Sequence, residues 1–368
     1  MDRALLDELK QLLGPDNWTT AAEKQLFTAV RDGGLGFSSL ELTCPASFAA
    51  AWHANLPKVC KRLGVEGVAA LRTLSLWVDA AVSVCSEALR SCFGADCVEP
   101  GDPADPITQR ELCGALPERF IEELLEDPDM QPADRACMRS SGGPGAGAWL
   151  QNAHRPGHFL TDAQFRIAVA TRLNLAVCGT AACKHTRPSG QCCGATLDVK
   201  GAHARSCPIG GWRVRRHDAL REVLKSWCEE QGCQVEREVV VAGASESLVE
   251  ARMDLPIRAP NVAGPMYIDV TIVNAASREA LGKRSANCDG AAALIAARHK
   301  REKYPLLAII PFVVEEHGRL GSDAIAFARK LAPTEKSERV VAMRELYQSI
   351  ACTVQRHSAN SVLAAVAG

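Results

Sequence analysis

The chain has 368 residues, 47% of them hydrophobic and 23% charged, with a formal net charge of −1. That length and apolar content suit one large or two medium domains with real cores. A balance this close to neutral excludes a general polycation, so any nucleic-acid surface has to be a local patch.

The first stretch, Met1 to Trp18, reads as an amphipathic helix with Leu5, Leu9, Leu12 and Leu13 on one face and acids and bases interspersed. It lacks the apolar run of a signal peptide. No window reaches the roughly 18 apolar residues of a membrane span. The expectation is an intracellular chain, nuclear or cytoplasmic, that is not secreted and has no membrane partner. "TTAAEKQLFTAV" opens with Thr19 or Thr20 as a cap and Glu23 shortly after, close to a capping box. "PASFAAAWHANL" and "GVAALRTLSLWVDAAVSVC" extend the helical pattern, so residues 1–139 read as a helical region. "DGGLGF" and "GADCVEPGDPADP" are turn and loop chemistry. "SSGGPGAGAWL" is the clearest break. It lacks the Gly-Lys-Ser/Thr ending of a phosphate loop. A linker and one helix, "TDAQFRIAVATRLNL", complete residues 140–177.

Sixteen cysteines without a secretion signal argue for reduced thiols and a metal, not a disulfide framework. The segment 178–211 contains Cys183, His185, Cys192, Cys193, His203 and Cys207. Tetrahedral Zn²⁺ takes four sulfur or nitrogen ligands, usually as two close pairs. His203 and Cys207 make a good second pair; Cys183 and Cys193 are the preferred first pair, with Cys178 and Cys192 as substitutes. Buried reduced thiols in a small loop-rich segment are the bland alternative. From Lys200 to Lys225 the chain carries seven Lys or Arg against two acids, Asp218 and Glu222. Arg205, Arg213, Arg215 and Arg216 are therefore candidate phosphate contacts, unless they form an ordinary solvated face. His217 opens the helix beside them and either touches a site or simply packs.

The next elements alternate. "HDALREVLKSWCEEQG" is a helix with Leu220, Val223, Leu224 and Trp227 as its stripe. "QVEREVVVA", "ARMDLPIRA" and "MYIDVTIV" are strands, "AAALIAARHKREKY" is a helix, and "PLLAIIPFVVE" is a fourth strand. A meander, a crossover helix and a last strand predict a mixed sheet flanked by helices. Strand alternation puts Met253, Leu255 and Ile257 on one side and Arg252 and Asp254 on the other. The same rule separates Met266, Ile268, Val270 and Ile272 from Tyr267, Asp269 and Thr271. If the two strands pair, both carboxylates converge. Two close carboxylates repel unless a cation lies between them. Mg²⁺, or Mn²⁺ in its place, takes one or two carboxylates, keeps waters and binds phosphate oxygens. Lys300 shares a helix face with Ala293, Ala297 and Tyr304, so it can look toward the sheet; Lys303 is the competing lysine. Solvated strand acids and a frayed basic helix end are the bland readings of the same residues.

These stretches together, "GPGAGAWL", "CGATLDVKGAHARSCPIGGWRVRRHDALREVL", "ARMD", "YIDVTIV", "ARHKREKY" and "IPFVVEEHG", resemble the C-terminal region of non-LTR retrotransposon polyproteins. There a CCHC zinc knuckle precedes a restriction-like endonuclease domain of the PD-(D/E)xK superfamily. The resemblance covers roughly residues 140–332, and "DGGLGFSSLELTCPASFAAAW" is more weakly similar to the stretch after the reverse-transcriptase palm. It implies an α+β fold: an N-terminal helical region, a CCHC-type knuckle over 178–211, an α-β-β-β-α-β restriction-endonuclease-like core over 212–335, and a C-terminal helical tail over 336–368. It also implies Mg²⁺-dependent hydrolysis of DNA. Asp254 and Asp269 would be the acidic ligands, Lys300 or Lys303 the catalytic lysine, and Arg252 a phosphate contact. Met253 stands where the family name has proline, and Thr271 where it has lysine. No Tyr/Phe-x-Asp-Asp polymerase motif occurs in these residues; a separate reverse transcriptase is among the partners the resemblance allows. DNA is the expected ligand, with RNA as the other nucleic acid. The rivals are a catalytically inactive zinc-containing nucleic-acid-binding module and an inert retroelement fragment.

Overall fold

The computed structural model describes residues 2–14, 18–93, 100–101, 108–151, 153, 155–241, 251–260 and 262–367. The chain divides into two compact units. One comprises residues 1–11, 23–29 and 36–127, the other 12–22, 30–35 and 128–368. The sequence boundary at 139 therefore falls late, because the helix over 132–141 belongs with the second unit.

The first unit is helical among its described residues: α1 (Asp2–Leu13), α2 (Thr20–Leu26), α3 (Leu40–Leu63), α4 (Gly67–Leu74), α5 (Leu76–Phe93) and α6 (Gln109–Glu126). α1 and α2 continue across the division. The Asp2 carboxylate accepts from Leu40 N–H at 3.0 Å and from the Ser39 hydroxyl at 2.6 Å, which caps α3. α3 and α5 then bury Ala46, Ala49, Cys85 and Leu89 against each other. α2 is capped by Thr19, whose Oγ1 accepts from Ala22 N–H at 3.1 Å. Glu23 does not complete a capping box; it pairs with Lys10. Leu12 is exposed, so the predicted leucine stripe of α1 is narrower than its pattern. The predicted loop from Gly94 to Pro106 lies mostly outside the described residues.

The second unit contains α7 (Pro132–Ser141), α8 (Asp162–Arg172), α9 (Ala202–Ser206), α10 (Trp212–Glu230), β1 (Gln234–Val235), β2 (Val239–Val241), β3 (Ala251–Met253), β4 (Leu255–Arg258), β5 (Met266–Val273), α11 (Arg278–Gly282), α12 (Ala291–Lys303), β6 (Ile309–Glu315), α13 (Ser322–Leu331) and α14 (Lys336–Ala367). It is a mixed α+β unit with a small mixed sheet in the order β1-β4-β5-β6. β4 and β5 are antiparallel, with Leu255 opposite Ile268; β5 and β6 are parallel, with Asp269 opposite Pro311. The parallel pair needs a crossover, which α11 and α12 supply.

Two predicted strands are broken. "QVEREVVVA" becomes β1 and β2, separated at Glu238, which adopts φ 49°. "ARMDLPIRA" becomes β3 and β4, separated at Asp254. β2 and β3 leave the main sheet as a separate ribbon. One face of the sheet presents Leu255, Ile257, Ile268, Val270 and Phe312 to a core shared with Leu220 and Leu224 of α10 and Leu346, Ile350 and Val354 of α14. Each such fully buried side chain contributes roughly 1.5–3 kcal/mol. The other face is covered by α12 through Ala293 and Ala297 against Val313.

The C-terminal segment is not a tail. Besides the sheet core, α14 contributes Ala351 and Cys352 to a cluster with α8, and Val362 and Ala365 to the cluster around Cys183 and Cys207. Its burial takes in polar residues as well, Gln348, Thr353, Gln355, Ser358 and Ser361. No described helix is long and apolar enough to cross a membrane.

Candidate metal and carboxylate sites

The cysteine-rich segment folds back on itself through short backbone bridges. Cys183 N–H donates to Ala195 O at 2.8 Å, and Cys193 N–H donates to His185 O at 2.7 Å. This brings Cys183 and Cys193 to one side of the loop. α9 supplies His203, and Cys207 follows at its end. The Asp198 carboxylate accepts from Ala202 and His203 N–H at 2.9 and 2.7 Å, which holds the start of α9. The ligand atoms of Cys183, Cys193, His203 and Cys207 all lie within 4.8 Å of one another. Cys183 Sγ and Cys207 Sγ are 4.0 Å apart, and Cys193 Sγ is 3.4 Å from His203 Nε2. A tetrahedral zinc with bonds of about 2.3 Å to sulfur and about 2.0 Å to nitrogen would set these separations near 3.8 and 3.5 Å. The four residues can therefore hold a metal ion such as zinc. Burial pushes the Cys207 thiol up to about 12 and also raises Cys183, while Cys193 is lowered by the Ala195 N–H. A dication at the centre would offset the cost of ionising Cys183 and Cys207.

His185 is not in this set; its Nε2 is 2.9 Å from Ser361 O on α14. Cys192 is exposed, and Cys178 lies against the Asp198 carbonyl at 3.3 Å. Neither substitutes for Cys183 or Cys193.

The second cluster lies on the sheet. Asp254 sits at the break between β3 and β4, where the chain turns its carboxylate toward β5 and Oδ2 accepts from Val270 N–H at 2.8 Å. Asp269, in the middle of β5, points under α12 and is buried. The two carboxyls are close enough to share a hydrogen bond when one is protonated. Lys300 Nζ reaches Asp269 Oδ1 at 2.8 Å. His217 Nε2 stands 3.3 Å from Asp254 Oδ2 and 3.2 Å from Val270 O, and its Nδ1 is 3.3 Å from Asp218. The environments split the pair. Burial raises Asp269, and the neighbouring Asp254 adds to this against the pull of Lys300. Burial also acts on Asp254, but His217 and the Val270 N–H outweigh it and its carboxyl is lowered. The Asp254 carboxylate in turn raises His217. Asp269 Oδ2 is buried and receives no hydrogen bond.

Lys303 forms no ion pair with either carboxylate; its Nζ lies 4.8 Å from the centre of the Tyr304 ring, and Asp269 and Asp254 act on it only through their charge. Lys300, Lys303, His299 and Arg213 line an adjacent cleft of about 410 Å³. Arg215 is exposed and stacks over Trp212 at 4.7 Å, and Arg252 is exposed beside Glu238. Arg205 and Arg216 are corrections to the expected phosphate surface. Both are buried, and each lies 3.1 Å from Glu316 Oε1. Their charges serve an internal ion triad, where desolvation is offset only by tight pairing. The sequence carries no sign of the triad, because nothing in "VVEEHG" shows that both glutamates are buried or that Glu316 meets the two arginines. His217 was visible only as a histidine beside a basic run; its contact with Asp254 depends on the packing of α10 against β5.

No protein-family model matches this chain, and no curated protein matches it.

Proposed function

We propose that the chain is a metal-dependent endonuclease that hydrolyses phosphodiester bonds in DNA, of the kind carried at the C-terminal end of non-LTR retrotransposon polyproteins, with zinc held by Cys183, Cys193, His203 and Cys207. The observation that carries the reading is the convergence of Asp254, Asp269 and Lys300, with Asp269 Oδ2 buried and without a donor. Hard carboxylate oxygens with one unpaired fit Mg²⁺ or Mn²⁺, and Asp254 and Asp269 would hold it. Such an ion, when bound, supplies Lewis-acid activation of water and charge for the phosphate oxygens. The rest is supplied by the chain. Val270 N–H and His217 orient Asp254. Lys300 brings a cation to the carboxylates and is positioned to stabilise charge developing on the phosphate. Arg213, exposed on the adjacent cleft, is the arginine left to meet the strand, with Arg252, exposed and paired with Glu238, as a second contact. The zinc segment supports α10 through α9.

One observation favours a second reading, a non-catalytic nucleic-acid-binding module. Lys300 and His217 already compensate the two carboxylates from within the chain. A nicking assay with supercoiled plasmid separates the two. Under the first reading the chain relaxes plasmid with Mg²⁺ or Mn²⁺, and Asp254→Asn lowers the rate by about 10²–10³ while DNA binding survives. A chain that binds plasmid but never cuts it with either ion is the second kind of protein.

A further inference from the structure

The glycine-rich loop over 142–147 matches no phosphate-loop pattern, yet it walls a cavity of about 950 Å³. Five arginines line this cavity, Arg31, Arg319, Arg329, Arg339 and Arg344, against two aspartates, Asp32 and Asp289. The aspartates are already compensated. Asp289 is bridged by Arg139 and Arg319, each at 2.8 Å, and Asp32 is 3.4 Å from Arg31. Arg339 is held at the rim by the Pro333 and Thr334 carbonyls. Arg329 and Arg344 are exposed and make no hydrogen bond or ion pair among the described residues. The cavity therefore carries an unneutralised positive surface with two free guanidinium groups.

Its shape adds a second element. Val340, Met343, Arg344 and Tyr347 lie along one side of α14, so the half-buried Tyr347 ring, packed on the adjoining cores, shares the cavity wall with Arg344 and with Arg329 of α13. The loop makes that arrangement fit. A Cβ on Gly143 would come within 2.7 Å of the Arg319 guanidinium carbon, and one on Gly145 within 3.2 Å of the Tyr347 ring. Both glycines have positive φ, which side chains disfavour. Spaced guanidinium groups around an aromatic ring in an open concavity suit a flexible polyanion with planar bases, because phosphates pair with arginine and any base can stack.

We propose that this cavity binds a single nucleic-acid strand through its phosphates, at Arg329 and Arg344, with a base against Tyr347. The site goes beyond the nuclease reading and does not rest on cleavage. Asp289 and Lys300 are separated by eleven residues along α12 and its cap, roughly 16 Å of helix. The two sites therefore contact different parts of a strand.

The test is fluorescence anisotropy of the full chain with a labelled oligothymidylate of about twenty nucleotides, without added Mg²⁺, across a salt series. Arg329→Gln/Arg344→Gln, which changes only exposed side chains, should weaken binding about tenfold or more at low salt. It should also flatten the log–log salt slope by about 1.4, since each single-strand phosphate contact contributes about 0.7. Tyr347→Phe should bind as wild type, and Tyr347→Leu should lose several-fold. Unchanged affinity and slope in the double variant overturns the proposal, as does complete loss in Arg213→Gln/Arg215→Gln with none in the cavity variant. Equal binding of a polyglutamate peptide with the same loss in the double variant also overturns it, and makes the cavity a docking site for acidic protein.

Discussion

Around Asp254 and Asp269 the chain supplies its own positive groups: Lys300 pairs with one carboxylate and His217 with the other. Around Cys183, Cys193, His203 and Cys207 the donors meet mainly one another and backbone amides. The thiol cluster can hold a metal ion; under the proposed function the carboxylate cluster would take one as well, and the two differ in how much the fold needs it. The carboxylate cluster is compensated before any ion arrives, so a metal there would change chemistry more than stability. The thiol cluster includes two buried thiols, Cys183 and Cys207, whose ionisation burial disfavours, so an ion there would organise the segment. The contrast teaches that a cluster's dependence on metal follows from the charges the fold already provides, not from the number of ligands.

The largest effect is expected from removing one thiol of the cluster that can hold zinc. Structural zinc sites contribute about 10–16 kcal/mol of apparent binding energy that is also folding energy. Cys207→Ser should leave the chain with well under one zinc per molecule by elemental analysis. Amide hydrogen exchange should show residues 178–211 losing protection while the sheet keeps it. Equal protection in chelator-treated and untreated protein would make the four residues a packed thiol cluster and erase the distinction.

Glu316 links the two clusters, since it pairs with Arg205 on α9 and Arg216 on α10. Glu316→Gln leaves two buried arginines without a counter-ion and should cost about 3–5 kcal/mol in denaturant unfolding. The same residues predict acid lability. Burial acts to raise Glu316, but Arg205 and Arg216 overcome it and hold the carboxyl at about 2, while burial pushes neighbouring His317 down to about 4. Both are depressed relative to the unfolded chain, so each contributes stability that is present above its unfolded value and lost as pH falls through its folded one. Stability should decline from about pH 6.5 downward through His317, and further below about pH 4.5 through Glu316. In Glu316→Gln the decline below pH 4.5 should be smaller. A pH-independent melting midpoint between pH 7 and pH 4 would contradict this assignment.

Within the carboxylate cluster the expected effects are on rate. Lys300→Ala should reduce plasmid nicking by about 10²–10³, as loss of a charge stabiliser does, whereas Lys303→Ala should only weaken it. The reverse order would move the catalytic role to Lys303, although Lys300 is the lysine paired with Asp269. The smallest effects belong to cysteines outside the thiol cluster. Cys192→Ala and Cys178→Ala should retain metal content unchanged, and a loss in either would redraw the ligand set.

Much of the second unit was legible because its signals are local. The alternation in "MYIDVTIV" correctly separated Met266, Ile268 and Val270 from Asp269. The spacing of His203 and Cys207 on a short helix was enough to select two of the four thiol-cluster donors. Cys183 and Cys193 could be chosen but not distinguished from Cys178 and Cys192, because that choice is made by backbone bridges across the loop. The arginines of the basic run were misjudged in part. Arg205 and Arg216 have the same chemistry as Arg213 and Arg215, and only the packing of α9 and α10 against Glu316 takes them out of solvent. The strand breaks at Glu238 and Asp254 also fall inside runs whose composition favours continuous strands.

By itself, then, the sequence determined the helix and strand types, the α+β character and the residue types available to each cluster, because side-chain periodicity and turn chemistry act over a few neighbours. Only the tertiary structure decided that Asp254 turns to the Val270 amide, that Lys300 rather than Lys303 meets Asp269, and that α14 is a central helix and not a tail. Those outcomes depend on contacts between residues far apart in the chain, where burial and charge pairing select one arrangement among many that the local pattern allows equally.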